Sequence, residues 1–167
     1  MGVNKATADD LACIELQLGR TPRDVHAIAY RCPCGKPAVV ETEPRLADGT
    51  PFPTFYYATC PRLTGAISTL ESTGMMAQMN ERLAVDAELS GAYSAAHDDY
   101  IAARTALGIE VPEIKDISAG GMPNRVKCLH SLVAHSLSAG EGVNPLGDEA
   151  LTALPQWWLT DPCKSEE

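Results

Sequence analysis

The sequence lacks two features of membrane and nucleic-acid-binding proteins: a long apolar run and a surplus of basic residues. No stretch of its 167 residues approaches the roughly 18–20 apolar residues that a membrane-spanning helix needs. Lysine and arginine number 13 against 22 aspartates and glutamates, which gives a formal net charge of −9. Without a long apolar run, we expect no membrane insertion. Because nucleic-acid binding needs a concentrated basic face, we expect no nucleic-acid binding either.

The N-terminus also lacks the apolar segment of a secretory signal, since Met1–Asp10 is polar and acidic. We therefore expect a cytoplasmic protein. Thiols stay reduced in that compartment, so the six cysteines are expected to be metal ligands, catalytic groups or core residues rather than disulfides. The length predicts a single domain over 1–167, with its core over about 7–154 and a loosely specified tail over 155–167.

Apolar periodicity predicts an α+β fold in which helices follow a small sheet. Short segments rich in valine, threonine and tyrosine are typical of strands, here 25–31, 38–43 and 54–59. Helical spacing and capping residues predict helices over 7–19, 61–73, 75–85, 87–107 and 123–139, and a short one capped by Asp148. We expect a three-stranded antiparallel sheet packed against a mainly helical C-terminal two-thirds.

Four cysteines are the strongest candidates for a functional site. Cys32 and Cys34 lie one residue apart in a tight turn between the first two predicted strands, and Cys60 begins the helix after the third. If the second and third strands form a hairpin, these three thiols meet at one edge of the sheet. Cys128, on the predicted helix 123–139, is the fourth expected ligand.

Four thiolates can close a zinc site or hold an iron–sulfur cluster, because thiolate sulfur is a soft anionic ligand. The Cys-Pro pairs at Cys32 and Cys60 are similar to the ends of some cluster motifs, which favours the iron–sulfur cluster over zinc. A Cys-x-Cys spacing is less specific than paired Cys-x-x-Cys motifs, so ordinary buried or reactive thiols stay an alternative. Cys13 is expected in the core, and Cys163 in the tail.

A glycine-rich turn before the predicted helix 123–139 is a second candidate site. Glycines allow close backbone approach, and the amides at a helix N-terminus bind anions. Basic residues on that helix and after two of the candidate cysteines add positive charge. Six residues are predicted to hold a phosphate or carboxylate: Ser118, Gly120, Gly121, Arg125, Arg62 and Lys36. The alternative is an ordinary turn with solvated charges.

His130 and Lys127 are the candidates for a catalytic acid or base. Histidine titrates near neutral pH, and Lys127 lies three residues before His130, within reach on one helix face. On the predicted helix, His130 lies on the opposite edge of the apolar face from Cys128, and the sequence shows no obvious serine or cysteine partner for it. The alternative is a structural, hydrogen-bonded histidine.

Six motifs between Asp10 and Leu154 resemble the signature of one family: Arg31-Cys-Pro-Cys-Gly-Lys-Pro, Asp48-Gly-Thr-Pro-Phe-Pro-Thr, Thr59-Cys-Pro-Arg-Leu, Ile117-Ser-Ala-Gly-Gly-Met-Pro, Arg125-Val-Lys-Cys-Leu-His and Gly142-Val-Asn-Pro-Leu-Gly-Asp. This family is the mostly actinobacterial domain of unknown function five hundred and one. The resemblance implies no established activity, cofactor or catalytic residue. It implies a genomic context beside enolase, a septum-forming protein and an exopolyphosphatase, which indicates no mechanism.

Two functions follow from these patterns as hypotheses. The first is a metal-binding protein whose cysteine-ligated centre acts on or binds a small anionic ligand. The second is a non-enzymatic interaction protein that binds a protein partner, for example in cell division. Its fold would be stabilised by a structural zinc ion, or its cysteines would be reduced core residues. Whether the protein is an enzyme is left open by the sequence.

Overall fold

A computed structural model describes residues 5–159, which form a three-stranded sheet followed mainly by helices. The strands are β1 (Val25–Arg31), β2 (Pro37–Thr42) and β3 (Tyr56–Ala58). The helices are α1 (Ala8–Leu18), α2 (Pro61–Glu71), α3 (Met75–Val85), α4 (Ala87–Thr105), α5 (Leu129–Ala139) and α6 (Pro145–Ala153), and a short 3-10 helix covers Pro112–Ile114. The α+β prediction is confirmed.

The sheet is antiparallel throughout and has the order β1-β2-β3. Neighbouring residues of β2 point to opposite faces, so Val39 and Val40 pack into different cores. Val40 joins Ile14 of α1 in a small apolar cluster, whereas Val39 joins the main cluster with Leu129 of α5. The sheet therefore lies between α1 on one face and the helical part of the chain on the other.

Helix α1 is fixed at both ends and tied to the sheet. Thr7 and Asp10 form a reciprocal capping box, and Gly19 ends the helix in the left-handed conformation. The Asp10 carboxylate also accepts two hydrogen bonds from the Arg31 guanidinium, at 2.9 and 2.8 Å. This bidentate pair joins the first turn of α1 to the end of β1, beside Cys32.

A buried tyrosine joins α4 to the sheet. Tyr100 is fully buried, and its hydroxyl oxygen accepts hydrogen bonds from the backbone N–H groups of Phe55 (2.7 Å) and Tyr56 (3.1 Å). The rings of Tyr56 and Tyr100 meet edge to face with centroids 5.4 Å apart. These contacts hold β3, and the pocket described below, against the helical core.

The predicted helix 123–139 is wrong over its first six residues, because α5 begins only at Leu129. The amides of Arg125 and Lys127 bond instead to the carbonyls of Gly121 (3.0 Å) and Gly120 (2.8 Å). This segment is therefore a folded turn. The last helix also begins earlier than predicted, since Asn144 rather than Asp148 is its N-cap and accepts from the Gly147 amide.

Residues 1–4 and 160–167 lie outside the described residues, and with them Cys163 and most of the predicted tail. Trp157, in the described part of that tail, is buried. Within residues 5–159, no helix is both long enough and apolar enough to cross a membrane.

Candidate functional site

The site is built where the end of α2 meets the start of α5. Cys128 is the N-cap of α5, Glu71 is the last residue of α2, and His130 lies in the first turn of α5. Among residues 5–159, these three form the group of potential metal ligands whose donor atoms all lie within 4.8 Å of one another. All three side chains are partly buried.

Glu71 positions His130 and the start of α5. Its Oε2 accepts a hydrogen bond from the Leu129 amide at 2.8 Å and lies 3.0 Å from Nδ1 of His130. The other ring nitrogen of His130 is 3.4 Å from the Ser68 hydroxyl. A carboxylate that binds the first free amide of α5 also complements the positive end of the helix dipole. One side chain thus fixes both the helix terminus and the imidazole.

The environment favours a charged pair of Cys128 and His130. Burial raises the pKa of the Cys128 thiol, but the neighbouring His130 imidazole and the Ser131 amide together hold the pKa below its ordinary value. The neighbouring Cys128 sulfur, aided by Glu71 and opposed by burial, raises the pKa of His130 to about 9. Both directions favour a thiolate beside an imidazolium.

Cys128 and His130 open into a pocket of about 460 Å³. Its walls come from the α5 N-terminus, the start of α2, the end of α1 and β3, and include Tyr56, Tyr57 and Thr59. A volume of this size is in the range of small-molecule sites. The paired thiol and imidazole are therefore accessible to a ligand rather than sealed in the core.

The structure places the other predicted cysteine ligands elsewhere. β2 and β3 form the expected antiparallel hairpin, with Val39 opposite Ala58. Cys32 and Cys60 are both buried in the main apolar cluster, whereas Cys34 is exposed in the β1–β2 turn. Cys60 is the N-cap of α2, as predicted, but Cys128 groups with Glu71 and His130. The iron–sulfur or zinc centre on all four thiols stays a prediction.

The predicted anion site is only partly assembled. A pocket of about 370 Å³ is lined by Ser118, Gly120, Gly121, Arg125 and Lys127, but neither Lys36 nor Arg62 lines it. Because α5 begins at Leu129, the glycine turn does not supply a helix N-terminus. The buried Ser118 hydroxyl is 2.7 Å from Nδ1 of His97. Any anion bound here would rely on Arg125 and Lys127.

Sequence reasoning missed the contribution of Glu71 and the pairing of His130 with Cys128. Extending a helix through Cys128 placed the two residues on opposite edges of one apolar face, which is wrong. With Cys128 as N-cap, its extended backbone lets the side chain turn toward the next helical turn. The available signal was the Cys-x-His spacing at a helix start. Nothing in the sequence pointed to Glu71, 57 residues earlier in the chain than Cys128.

Comparison with known proteins gives a family and no function. The sequence model of the family described as protein of unknown function (DUF501) matches residues 28–152, which include Glu71, Cys128 and His130. No curated protein and no solved structure matches the chain significantly.

Proposed function

The chain belongs to DUF501, a family of proteins of unknown function, and we propose that it is a thiol-dependent enzyme whose nucleophile is Cys128. The observation that carries this proposal is the convergence of Glu71, Cys128 and His130, of which Cys128 and His130 line a pocket. Nucleophilic cysteines are activated by an adjacent histidine that a third group orients. Each of these three roles has a residue in the site.

The roles follow from the contacts. Cys128, as a thiolate, attacks an electrophilic carbon in the pocket. His130, as imidazolium, gives a proton to the departing group and afterwards takes one back. Glu71 is a positioning residue, because its carboxylate lies 3.0 Å from Nδ1 of His130 and also accepts the Leu129 amide. The Ser131 amide in the first turn of α5 and the positive end of the helix dipole stabilise the anionic sulfur.

A single divalent metal ion is the second candidate, and the same 4.8 Å grouping favours it. A carboxylate, a thiolate and an imidazole are a donor set that zinc accepts, and three protein ligands leave one position for water or substrate. This candidate keeps the predicted cysteine-ligated metal but changes its ligands. An interaction protein without enzymatic activity stays the alternative to both.

Site-resolved alkylation tests the proposal. Native protein is treated with iodoacetamide near pH 7, and labelling of Cys128 and Cys34 is followed by peptide mass spectrometry. We expect Cys128 to react faster than Cys34, which is exposed, by about tenfold or more. His130→Gln is expected to remove that advantage and to leave the labelling of Cys34 unchanged. Equal rates for the two thiols in native protein would contradict the proposal.

Metal analysis separates the candidates. Stoichiometric zinc in native protein that is lost in Cys128→Ser and kept in Cys32→Ser would support the metal ion at Glu71, Cys128 and His130. A broad visible absorption that is lost in Cys32→Ser would instead support the cluster on the four cysteines. Metal-free protein with a fast-reacting Cys128 supports the thiol enzyme.

A further inference from the structure

The pocket of Cys128 is the middle of three adjoining cavities. On one side it shares Leu18, Tyr57 and Thr59 with a cavity of about 310 Å³ between α1 and the sheet. On the other side it shares Thr54 with the 370 Å³ pocket of the glycine turn. We refer to the three together as the groove. Its two ends differ sharply in chemistry.

One end of the groove is lined mainly by apolar side chains, and the exposed Arg20 and Arg23 also line it. Its walls come from the face of α1, the outer face of the sheet and the loop after β2, and include Ile14, Val25, Val40, Leu46 and Phe52. Ile14 and Val40 are almost fully buried, so the walls are part of the packed structure. When a hydrocarbon group enters this cavity, its own apolar surface and that of the walls are both removed from water. This burial favours binding.

The other end is basic in a chain of formal net charge −9. Arg125 and Lys127 line it, and within residues 5–159 neither forms an ion pair with an acidic side chain. Their backbone is fixed, because both amides bond to the glycine turn and the Tyr93 hydroxyl donates to the Arg125 carbonyl at 2.9 Å. Two exposed cations on a fixed backbone suit phosphate or carboxylate oxygens.

The nucleophile lies between these two ends. Lys127 directly precedes Cys128, and the glycine turn packs against the first turn of α5, where a Cβ on Gly120 would lie 3.3 Å from the Cys128 carbonyl. A molecule that fills the groove therefore presents its central atoms to Cys128, with an apolar group toward α1 and a charged group toward Arg125.

We propose that the groove binds an acyl donor, a thioester or ester whose acyl chain occupies the apolar cavity and whose leaving group carries an anion bound by Arg125 and Lys127. This rests on the proposed role of Cys128. The thiolate attacks the acyl carbon, a C–S bond forms, and the bond from that carbon to the leaving group breaks. The leaving group departs with the electron pair and takes the proton of His130. Water then attacks the acyl-enzyme, its proton returns to His130, and Cys128 leaves as thiolate.

Single-turnover acylation of native protein, followed by intact mass spectrometry, tests both ends of the groove. The probes share a hexanoyl thioester and differ in the leaving thiol: coenzyme A carries phosphates, glutathione carries carboxylates, and N-acetylcysteamine carries no anion. We expect at least one anionic probe to acylate Cys128 faster than the neutral probe by about tenfold. If the coenzyme A thioester reacts faster than the glutathione thioester, the basic end prefers phosphate; the reverse order indicates carboxylate. Acetyl-coenzyme A is expected to react slower than hexanoyl-coenzyme A by about tenfold.

Variants test whether the preference for anionic leaving groups comes from the basic end of the groove and the preference for longer acyl chains from the apolar end. Arg125→Gln with Lys127→Gln is expected to abolish the preference for the anionic probes over the neutral probe. Lys36→Gln, which removes one charge outside the groove, is the matched control and should change nothing. Val25→Phe narrows the apolar cavity and should remove the preference for hexanoyl over acetyl. If this variant does not fold, the chain-length comparison in native protein still decides.

Equal rates for all four probes, or acylation of Cys34 instead of Cys128, would overturn the acyl-donor proposal. If the double variant still prefers the anionic probes, Arg125 and Lys127 do not bind the leaving group, and that part of the proposal is wrong. These failures are distinct from failure of the proposed function, because iodoacetamide labelling of Cys128 needs neither end of the groove. Fast labelling without probe selectivity would leave a reactive thiol with another substrate.

Discussion

Glu71 and His130 lie 59 residues apart in the chain, and their side chains meet with 3.0 Å between Oε2 and Nδ1. This contact closes the α2–α5 junction around Cys128. Without Glu71, neither the Leu129 amide nor the imidazole has its carboxylate partner. The pair therefore links the stability of the junction to the chemistry of the thiol.

Glu71→Gln is expected to lower the pKa of His130, because the carboxylate now helps to raise it to about 9. The amide side chain still accepts a hydrogen bond from Leu129, so the fold should be kept at a loss of about 1 kcal/mol in unfolding free energy. The histidine ring protons, followed by NMR across the titration, report the pKa. An unchanged pKa would mean that Glu71 does not hold the ring.

The stability that His130 contributes should depend on pH in a defined direction. The folded-state pKa is raised from 6.5 to about 9, so the contribution is fully present below pH 6.5 and is lost as the pH rises through about 9. The difference in unfolding free energy between native protein and His130→Gln measures it. That difference should shrink across this window. A difference that does not shrink between pH 6.5 and about 9 would contradict the raised pKa of His130.

Asp10→Asn should destabilise the protein by about 2 kcal/mol near neutral pH, because it removes the bidentate pair with Arg31. The Arg31 guanidinium lowers the pKa of Asp10 from 3.8 to about 2. The contribution is therefore present above pH 3.8 and is lost as the pH falls through about 2. Denaturant unfolding at several pH values measures it. Asp48→Asn, at the exposed pair with Arg23, is the control and should show no comparable loss.

Tyr100→Phe should cost about 1–3 kcal/mol of unfolding free energy, because the buried Phe55 and Tyr56 amides lose their acceptor. The matched control is Tyr57→Phe, whose hydroxyl makes no hydrogen bond within the described residues. It should be close to neutral in denaturant unfolding. Equal effects of the two variants would show that the Tyr100 hydroxyl does not hold β3.

The local elements could be predicted because their signals are local. The cap at Thr7, the glycine at position 19 and the strand-forming residue types of Val25–Arg31 all act within a few residues, and the structure has α1 and β1 there. The start of α5 could not be predicted in this way. The amides of Arg125 and Lys127 donate to carbonyls of the preceding glycine turn. This turn forms in place of the first turns of the predicted helix.

The candidate site was predictable only in part. Cys128, His130, Arg125 and Lys127 were singled out by residue type, and the structure places them along one groove. Glu71 joins the site through the packing of α2 on α5, a tertiary contact without a sequence signal. Lys36 and Arg62 were expected at the anion site because they follow cysteines, but proximity in sequence to a candidate ligand does not fix proximity in space.

Titration of the Cys128 thiol tests the central claim most directly. The ultraviolet absorbance of thiolate is recorded against pH for native protein and for Cys128→Ser, and their difference isolates this one group. We predict a midpoint below the ordinary thiol value of about 8.5 and an upward shift of that midpoint in His130→Gln. A native midpoint at or above the ordinary value, unmoved by His130→Gln, would contradict the account.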